Sequence, residues 1–279
     1  MNTEFRYFVV LDFEATCCDK NPPDPQEVIE FPSVLVDAQK FKVIDEFESF
    51  VKPVHHPELS NFCRNLTAIT QEHVETAPVF NDVYESHRNW LIKNNLKVDK
   101  DGPGEEFSFV LCGDWDLKTM LPNQLKVCST PFETVPYHFR RWINIKRPFG
   151  KYSGIKSRAG MPLMLNKLEL ELEGHHHRGI DDCRNIAKIL IALIKKGIRI
   201  ETTTHISSSA FGPMNLTVVS GDITHHISVG KRKMATLKGM LSGIFRTQDL
   251  KITLEDGTEL INDEDLFDLK QNQVIIVEK

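Results

Sequence analysis

Two carboxylates follow directly after a short apolar run near the start of the chain. The run is Tyr7 to Leu11, and Asp12-Phe13-Glu14 comes immediately after it. Such a run predicts a buried strand, and residues i and i+2 of a strand project to the same side. Two neighbouring anions raise each other's pKa unless a cation joins them, and hard divalent cations with oxygen ligands suit that position. An isolated pair of this kind is more often an exposed strand end, so the pair alone does not establish a metal site.

A second acidic element follows another predicted buried strand. Phe107 to Leu111 is apolar, and Cys112-Gly113-Asp114-Trp115-Asp116 comes directly after it. Because Asp116 begins a stretch with helical spacing, the simplest interpretation makes Asp114 or Asp116 a helix cap.

A third element combines histidines with carboxylates. His175-His176-His177 lies shortly before Asp181-Asp182, where the clearest helical pattern of the chain begins. A carboxylate at a helix start and a histidine on the loop before it can point into one site. Alternatively, Asp182 is a cap and the histidines are exposed.

In this order and at this spacing, the three elements resemble the motifs of the DEDDh 3′–5′ exonucleases, a branch of the RNase H-like fold. The resemblance implies that Asp12, Glu14, Asp116 and Asp182 are metal ligands and that His177 is the general base. Asp116 fits better than Asp114 because the family's second motif is an aromatic-Asp pair followed by an apolar residue. Asp182 fits better than Asp181 because the family's last aspartate follows its histidine by five positions.

Longer stretches narrow the resemblance to the Eri-type exoribonucleases, which trim RNA 3′ ends. The similarity covers about residues 5–200 and includes Trp142-Ile143-Asn144-Ile145 and Gly179 to Ala187. It implies two Mg²⁺ or Mn²⁺ ions per site and release of nucleoside 5′-monophosphates. It also places Thr16, with the backbone beside it at Ala15, close to the terminal nucleotide. Phe13 and Trp115 are candidates for stacking on terminal bases, with packing in the core as the alternative.

A basic stretch lies between the second and third motifs. From Thr134 to Leu168 there is no Asp or Glu, whereas lysines, arginines and aromatic residues alternate. Basic groups neutralise phosphates and aromatic faces stack on unpaired bases, so this stretch predicts a nucleic-acid track. The residues expected to contribute most are Lys151, Lys156 and Arg158. In the alternative interpretation, Phe139, Trp142 and Ile143 are helix core and the charges are solvated.

The order of predicted elements indicates an α/β domain with a mixed sheet flanked by helices, spanning residues 1–201. Strands are predicted at 7–11, 34–36, 43–51 and 107–111, and helices at 81–94, 137–145, 163–172 and 182–196.

A linker is predicted at 202–213, because this segment is rich in Thr and Ser and ends in Gly212-Pro213. Residues 214–279 show a ββαβ(β) order that predicts a small β-grasp, ubiquitin-like domain. Leu254 to Glu259 and Asp263-Glu264-Asp265 resemble parts of CIDE-N-type ubiquitin-like domains. A protein partner is therefore expected for this second domain.

Composition limits the remaining possibilities. A net charge of −5 excludes a histone-like mode of nucleic-acid binding but leaves room for a local basic groove. No apolar run approaches the roughly 20 residues that span a bilayer, so no membrane partner is expected. Six scattered cysteines without a recognisable signal peptide favour a reducing compartment, cytoplasmic and/or nuclear. Two alternatives to an exoribonuclease stay open: a DNA or dual-specificity exonuclease, and a nuclease-derived adaptor that acts through its C-terminal domain.

Overall fold

The computed structural model divides the chain into two compact units. The first consists of Met1–Thr130 and Pro136–His205, and the second consists of Pro131–Val135 and Ile206–Lys279. The structure describes residues 3–98, 103–129, 137–155, 159–205, 214–229, 234–260 and 273–278. Within these ranges, no helix is both long enough and apolar enough to cross a membrane.

A seven-stranded mixed sheet forms the centre of the first unit. Its strands are β1 (Tyr7–Leu11), β2 (Glu14–Ala15), β3 (Val28–Asp37), β4 (Lys42–Phe50), β5 (Phe107–Leu111), β6 (Arg141–Asn144) and β7 (Thr204–His205). The order is β2-β3-β1-β5-β6-β7, with β4 paired to β3. β1, β5 and β6 run parallel, so their carboxyl ends meet at one edge of the sheet.

In the described part of the first unit, seven α-helices accompany the sheet. They are α1 (Asn61–Thr67), α2 (Gln71–Glu75), α3 (Phe80–Lys93), α4 (Leu121–Val127), α5 (Lys146–Ser153), α6 (Met161–Lys167) and α7 (Gly179–Lys195). A π-helical turn, Asp116–Met120, leads into α4, and a 3₁₀ turn, Tyr137–Phe139, precedes β6. Ile186, Ile189 and Leu190 of α7 are buried in one core cluster with Phe8 and Val10 of β1. This packing fixes α7 against the central strand.

The mixed α/β organisation is as predicted, but the segment 137–145 was wrongly assigned to a helix. Arg141–Asn144 is a strand that pairs in parallel with β5, and both Trp142 and Ile143 are fully buried. A strand buried on both faces has no alternating pattern, so periodicity cannot separate it from a buried helix.

Two further helix predictions differ from the structure in extent. The helix predicted at 163–172 is Met161–Lys167, and Glu169 after it has a positive φ of 59°. The last helix of this unit starts at Gly179, three residues before the predicted start. Three short helices, α1, α2 and α5, were not predicted, and the helical stretch expected from Asp116 continues through α4 to Val127.

Residues 202–205 of the predicted linker belong to the first unit. Thr204–His205 pairs antiparallel with β6, and the Thr203 hydroxyl oxygen accepts a hydrogen bond from the Asn144 N–H at 2.7 Å. The rest of the predicted linker, 206–213, lies outside the described residues.

The described residues of the second unit form a four-stranded sheet and one helix. Its elements are β8 (Met214–Ser220), β9 (Ile223–Val229), α8 (Met234–Phe245), β10 (Lys251–Leu254) and β11 (Gln273–Glu278). The strand order is β10-β11-β8-β9, in which β8 and β11 are parallel and the two outer pairs are antiparallel. Leu237 and Leu241 of α8 are buried in one cluster with Leu216, Val218 and Ile275 of the sheet.

Candidate active site

Four carboxylates from three separate motifs meet at the carboxyl edge of β1 and β5. One ligand atom each from Asp12, Glu14 and Asp182 lies within 4.8 Å of the others. Asp116 is tied to the same place because its Oδ1 accepts the Phe13 N–H at 2.9 Å. Asp12 and Asp116 lie close together because β1 and β5 are parallel, so the residues that follow the two strands lie at the same edge of the sheet.

Burial and the neighbouring carboxylates raise the pKa of three of these four groups. Burial, followed by the charge of Asp116 and Glu14, raises the pKa of Asp12 well above its ordinary value. Burial and then Glu30 and Asp182 raise the pKa of Glu14 to about 9, and burial raises that of Asp116 to about 6. The carboxylates at this edge of the sheet therefore repel one another when they are ionised.

This donor set fits divalent cations. Three of the carboxylates lie close enough to share one ion, and carboxylate oxygens are the preferred ligands of Mg²⁺ and Mn²⁺. A bound cation would remove the mutual repulsion that raises the pKa values. His176 and His177 also lie near Asp182, in a second group that could hold a metal ion.

The histidine motif lies just before α7. The His177 N–H donates to Asp182 Oδ2 at 3.0 Å, and the His176 ring places Nδ1 at 3.0 Å from the same oxygen. The two rings stack with centroids 3.9 Å apart, and His177 is the exposed one of the pair. Burial, followed by the neighbouring His176, lowers the pKa of His177 below its ordinary value.

Side chains of the first turns of α7 hold the loop that carries the histidines. Asp181 Oδ2 accepts the His175 N–H at 2.9 Å, and Asn185 bonds both the N–H and the carbonyl of Glu173. Gly174 has a φ of 71°, and a Cβ there would come within 2.3 Å of the Asp181 carboxylate. The loop and the helix therefore form one connected structure around Asp182.

The residues predicted to contact the terminal nucleotide divide into buried and exposed ones. Phe13 is only 4% exposed and packs edge-to-face on Phe31 at 4.7 Å, so its assignment to base stacking is corrected to core packing. Ala15 and Thr16 are also buried, and the Thr16 hydroxyl accepts the Glu27 N–H at 3.0 Å. Trp115 is 41% exposed and remains available for stacking.

The predicted nucleic-acid track is described only in part. Lys151 lies on α5 and its ammonium forms an ion pair with Glu201 at 2.8 Å. Lys156 and Arg158 lie outside the described residues. Lys151 is well exposed, so a phosphate would compete with Glu201 for its ammonium group.

Two residues of the site, Glu30 and His176, were not predicted from the sequence. Glu30 is a fully buried carboxylate on β3 that accepts hydrogen bonds from N–H groups of α7. The pattern of residues in a strand does not predict a contact with a distant helix. His176 contacts Asp182 directly, whereas the motif spacing pointed to its neighbour His177. The run of three histidines was the available signal, but it does not specify which ring turns inward.

The fold and the site together define a nuclease of the DEDDh type. The sequence model of the exonuclease family RNase_T matches residues 9–190. The chain belongs to this exonuclease family.

Two human relatives are exoribonucleases by name. ERI1 exoribonuclease 3 of Homo sapiens is 40% identical over 200 residues, which cover 72% of this chain and 57% of that protein. The human 3′-5′ exoribonuclease 1 is 33% identical, over 72% of this chain and 56% of that protein. The chain thus spans somewhat more than half the length of these relatives.

Solved structures agree with this family. The nuclease domain of 3′hExo, a DEDDh family member bound to rAMP, is similar with a TM-score of 0.66 and 29% identity. The similarity covers 73% of this chain and 98% of that domain. A 3′-exonuclease that recognises the histone mRNA stem-loop gives a TM-score of 0.65 and 30% identity, over 72% of this chain and 87% of that chain. These likenesses establish the RNase H-like exonuclease fold of the first unit.

Proposed function

We propose that this protein is a metal-dependent 3′–5′ exoribonuclease that shortens RNA from its 3′ end and releases nucleoside 5′-monophosphates. The observation that carries the proposal is the meeting of Asp12, Glu14, Asp116 and Asp182 at one edge of the sheet, beside His177. Membership of the exonuclease family and the exoribonuclease names of the relatives support it.

Two Mg²⁺ or Mn²⁺ ions are the proposed cofactors. Asp12, Glu14 and Asp182 would hold one ion between them, and Asp116 would share in binding from the π-helical turn that it begins. Bound there, such ions stabilise the charge that develops on the attacking and leaving oxygens during displacement at phosphorus. Because the pKa of Glu14 is raised to about 9, cation binding at neutral pH must displace a proton from this carboxylate.

His177 is the proposed general base. Its ring is exposed, so a water molecule can reach it, while its backbone N–H is bound to Asp182. The lowered pKa keeps the imidazole neutral at neutral pH, which is the state that accepts a proton. His176, whose ring lies against Asp182, would hold the carboxylate in place.

RNA is the favoured substrate because the similar structures include one bound to rAMP and one that recognises a histone mRNA stem-loop. Trp115, exposed beside Asp116, offers a ring on which a terminal base can stack. Discrimination against DNA depends on contacts to the ribose 2′-hydroxyl, so a DNA or dual-specificity exonuclease is the alternative.

The test is digestion of matched RNA and DNA oligonucleotides labelled at the 5′ end, in Mg²⁺, in Mn²⁺ and in EDTA. We expect a ladder shortening from the 3′ end of RNA, with 5′-monophosphates as products and no reaction in EDTA. Asp182→Asn should abolish the reaction, whereas Glu85→Gln, an exposed carboxylate change on α3, should not. Faster digestion of DNA than of RNA would favour the alternative substrate, and release of 3′-monophosphates would contradict the mechanism.

We further propose that the second unit is a β-grasp, ubiquitin-like module that binds a protein. Its support is the strand order β10-β11-β8-β9 with a parallel central pair and one helix. Residues 214–279 carry 8 Lys or Arg and 10 Asp or Glu, so the unit is net acidic and unsuited to attract phosphates. The acidic patch Asp263-Glu264-Asp265 lies outside the described residues. An adaptor role through this module would accompany catalysis rather than replace it.

A further inference from the structure

Glu30 is a fully buried carboxylate on β3 that holds the first turn of α7. Its Oε2 accepts the Gly179 N–H at 3.0 Å, and its Oε1 accepts the Ile180 N–H at 3.2 Å. The Arg178 side chain donates from Nε to Oε1 at 3.1 Å. Arg178 stands at the position that caps the helix, yet its side chain makes no capping bond. Glu30 therefore supplies, from a different element, the acceptor that a capping residue normally provides.

The turn that Glu30 holds is the one on which the site depends. His177 lies two residues before Gly179 and Asp182 three residues after it. On the other side, Glu30 stands opposite Glu14 in the pairing of β2 with β3. Glu30 is thus linked through β3 to one predicted metal ligand and through α7 to another.

The start of α7 is also packed tightly against β1. A Cβ on Gly179 would lie 2.7 Å from the Asp12 carbonyl oxygen, 2.9 Å from Pro32 Cγ and 3.1 Å from Glu30 Oε2. Glycine lets the helix approach closely enough for Glu30 to reach its N–H groups. A small shift of this turn would change the separation of Asp182 from Asp12 and Glu14.

We propose that Glu30 is a positioning residue that sets the distance of Asp182 and His177 from the carboxylates of Asp12 and Glu14. This inference rests on the proposed function of the site. Both Glu30 oxygens are engaged by α7 and Arg178, so Glu30 acts through the helix and does not bind the cation itself. Residues that hold metal ligands in place typically contribute 10–100-fold to metal affinity or activity.

The test variant is Glu30→Gln in the full chain. A glutamine amide has one acceptor oxygen, so one of the two helix N–H groups would lose its acceptor and face an NH₂ group. We expect kcat to fall about 10–100-fold and the half-saturating Mn²⁺ concentration to rise, while KM for a short RNA stays within about 2-fold. Calorimetric titration with Mn²⁺ alone should show weaker binding, independently of any turnover.

The matched control is Asp37→Asn, at the opposite end of the same strand. Asp37 is likewise fully buried, and its Oδ1 accepts the N–H groups of Gln39 and Lys40 at 2.9 and 3.0 Å. It lies roughly 20 Å from Glu30 along β3, since a strand advances about 3.3 Å per residue. We expect Asp37→Asn to lower the melting temperature while leaving kcat and Mn²⁺ binding unchanged.

A second variant covers the case in which Glu30→Gln fails to fold. Gly179→Ala would move the same helix start away from β1 without altering the carboxylate, and it should produce the same weakening of Mn²⁺ binding. If Glu30→Gln lowers the melting temperature but keeps wild-type Mn²⁺ affinity and kcat, the proposal is wrong and Glu30 is purely structural. If Glu30→Gln does not fold, wild-type Mn²⁺ binding by Gly179→Ala would overturn it instead.

An inactive wild-type protein would contradict the proposed function and not the role of Glu30. In that case the Mn²⁺ titrations of the wild type, Glu30→Gln and Asp37→Asn decide the inference by themselves. Equal affinities in all three would refute it, and a loss confined to Glu30→Gln would support it.

Discussion

At the scale of single residues, the carboxylates proposed to bind the metal ions also destabilise the metal-free fold. Burial and neighbouring carboxylates raise the pKa of Glu14 to about 9, compared with about 4.5 for an unperturbed glutamate. The metal-free fold therefore binds a proton that the unfolded chain releases above its own pKa. The stability contributed by this group is complete below about pH 4.5 and is lost as the pH rises toward 9.

We predict that Glu14→Gln abolishes most nuclease activity and makes the metal-free protein more stable. At pH 7 the gain should be about 1–2 kcal/mol, because the wild-type Glu14 must take up a proton on folding, whereas the glutamine is uncharged in both the folded and the unfolded chain. Urea unfolding in EDTA at pH 5 and pH 8 measures it, and the gain should be larger at pH 8. Adding Mg²⁺ should stabilise the wild type more than the variant. A variant that is less stable than the wild type in EDTA at pH 8 would argue against an uncompensated carboxylate cluster.

The two histidines next to Asp182 differ in their expected roles. We predict that His177→Ala lowers turnover about 10²–10⁴-fold, the range for a lost general base. His176→Ala removes a ring that contacts the Asp182 carboxylate and should cost about 10-fold or less.

The pH profile provides the check on this assignment. Because the pKa of His177 is lowered, the imidazole stays neutral to a lower pH than usual. The acid limb of kcat/KM in the wild type should therefore lie below the ordinary histidine value of about 6.5. If His176→Ala is the more damaging change, the base is His176 and the motif is shifted by one residue.

At the scale of elements, α3 is joined to the sheet through a histidine that must stay neutral. His87 is fully buried, its Nε2 lies 3.0 Å from the Ser33 hydroxyl of β3, and its ring stacks on Phe31 at 4.5 Å. Burial, followed by the nearby His138, lowers the pKa of His87 well below its ordinary value. In the unfolded chain the same group titrates near 6.5, so its contribution to stability is present above that pH and is lost as the pH falls.

We predict that His87→Phe combined with Ser33→Ala flattens the acid side of the stability curve. Removing both partners of the hydrogen bond leaves no buried polar group without a partner at this contact. As the pH is lowered from 6.5 to 5, the free energy of unfolding should fall less in the double variant than in the wild type. The difference between the two slopes should be up to ~1.4 kcal/mol per pH unit. Ser33→Ala alone serves as the control and should retain the wild-type slope. Identical slopes in all three proteins would show that His87 does not cause the acid loss.

At the scale of the whole molecule, the boundary of the catalytic unit depends on β7. Thr204–His205 pairs with β6, and the Thr204 hydroxyl donates to Asp114 Oδ1 at 3.0 Å. Asp114 also accepts the Trp142 indole N–H at 2.9 Å. Residues after the predicted domain end at 201 therefore stabilise the strand next to β5.

We predict that a chain ending at residue 206 keeps exonuclease activity on a short unstructured RNA within a few-fold of the full chain. A chain ending at residue 201 should be less stable by about 2–4 kcal/mol, because it loses the β7 pairing and leaves buried partners of Thr203 and Thr204 unpaired. Melting curves and RNA titrations at two salt concentrations compare the three proteins. Loss of RNA affinity in a folded chain of 1–206 would make the second unit a substrate-binding module. Equal stability of the two shortened chains would contradict the role of β7.

The sequence by itself determined the chemistry of the site and the class of the fold. Asp12, Glu14, Asp116, Asp182 and His177 were predicted as site residues because three motifs, in their order and spacing, resemble those of the DEDDh exonucleases. The parallel sheet then brings those motifs together at one edge. The sites themselves remain predictions until the variants are measured.

Only the tertiary structure decided which side chains face the site and what holds them. Phe13 faces the core, and Glu30 serves a helix that begins 149 residues further along the chain. Residues 141–144 form a strand because they pair with β5. Each of these outcomes depends on contacts between residues far apart in sequence. Neither hydrophobic periodicity nor a local motif contains that information, because both describe only the immediate neighbours of a residue.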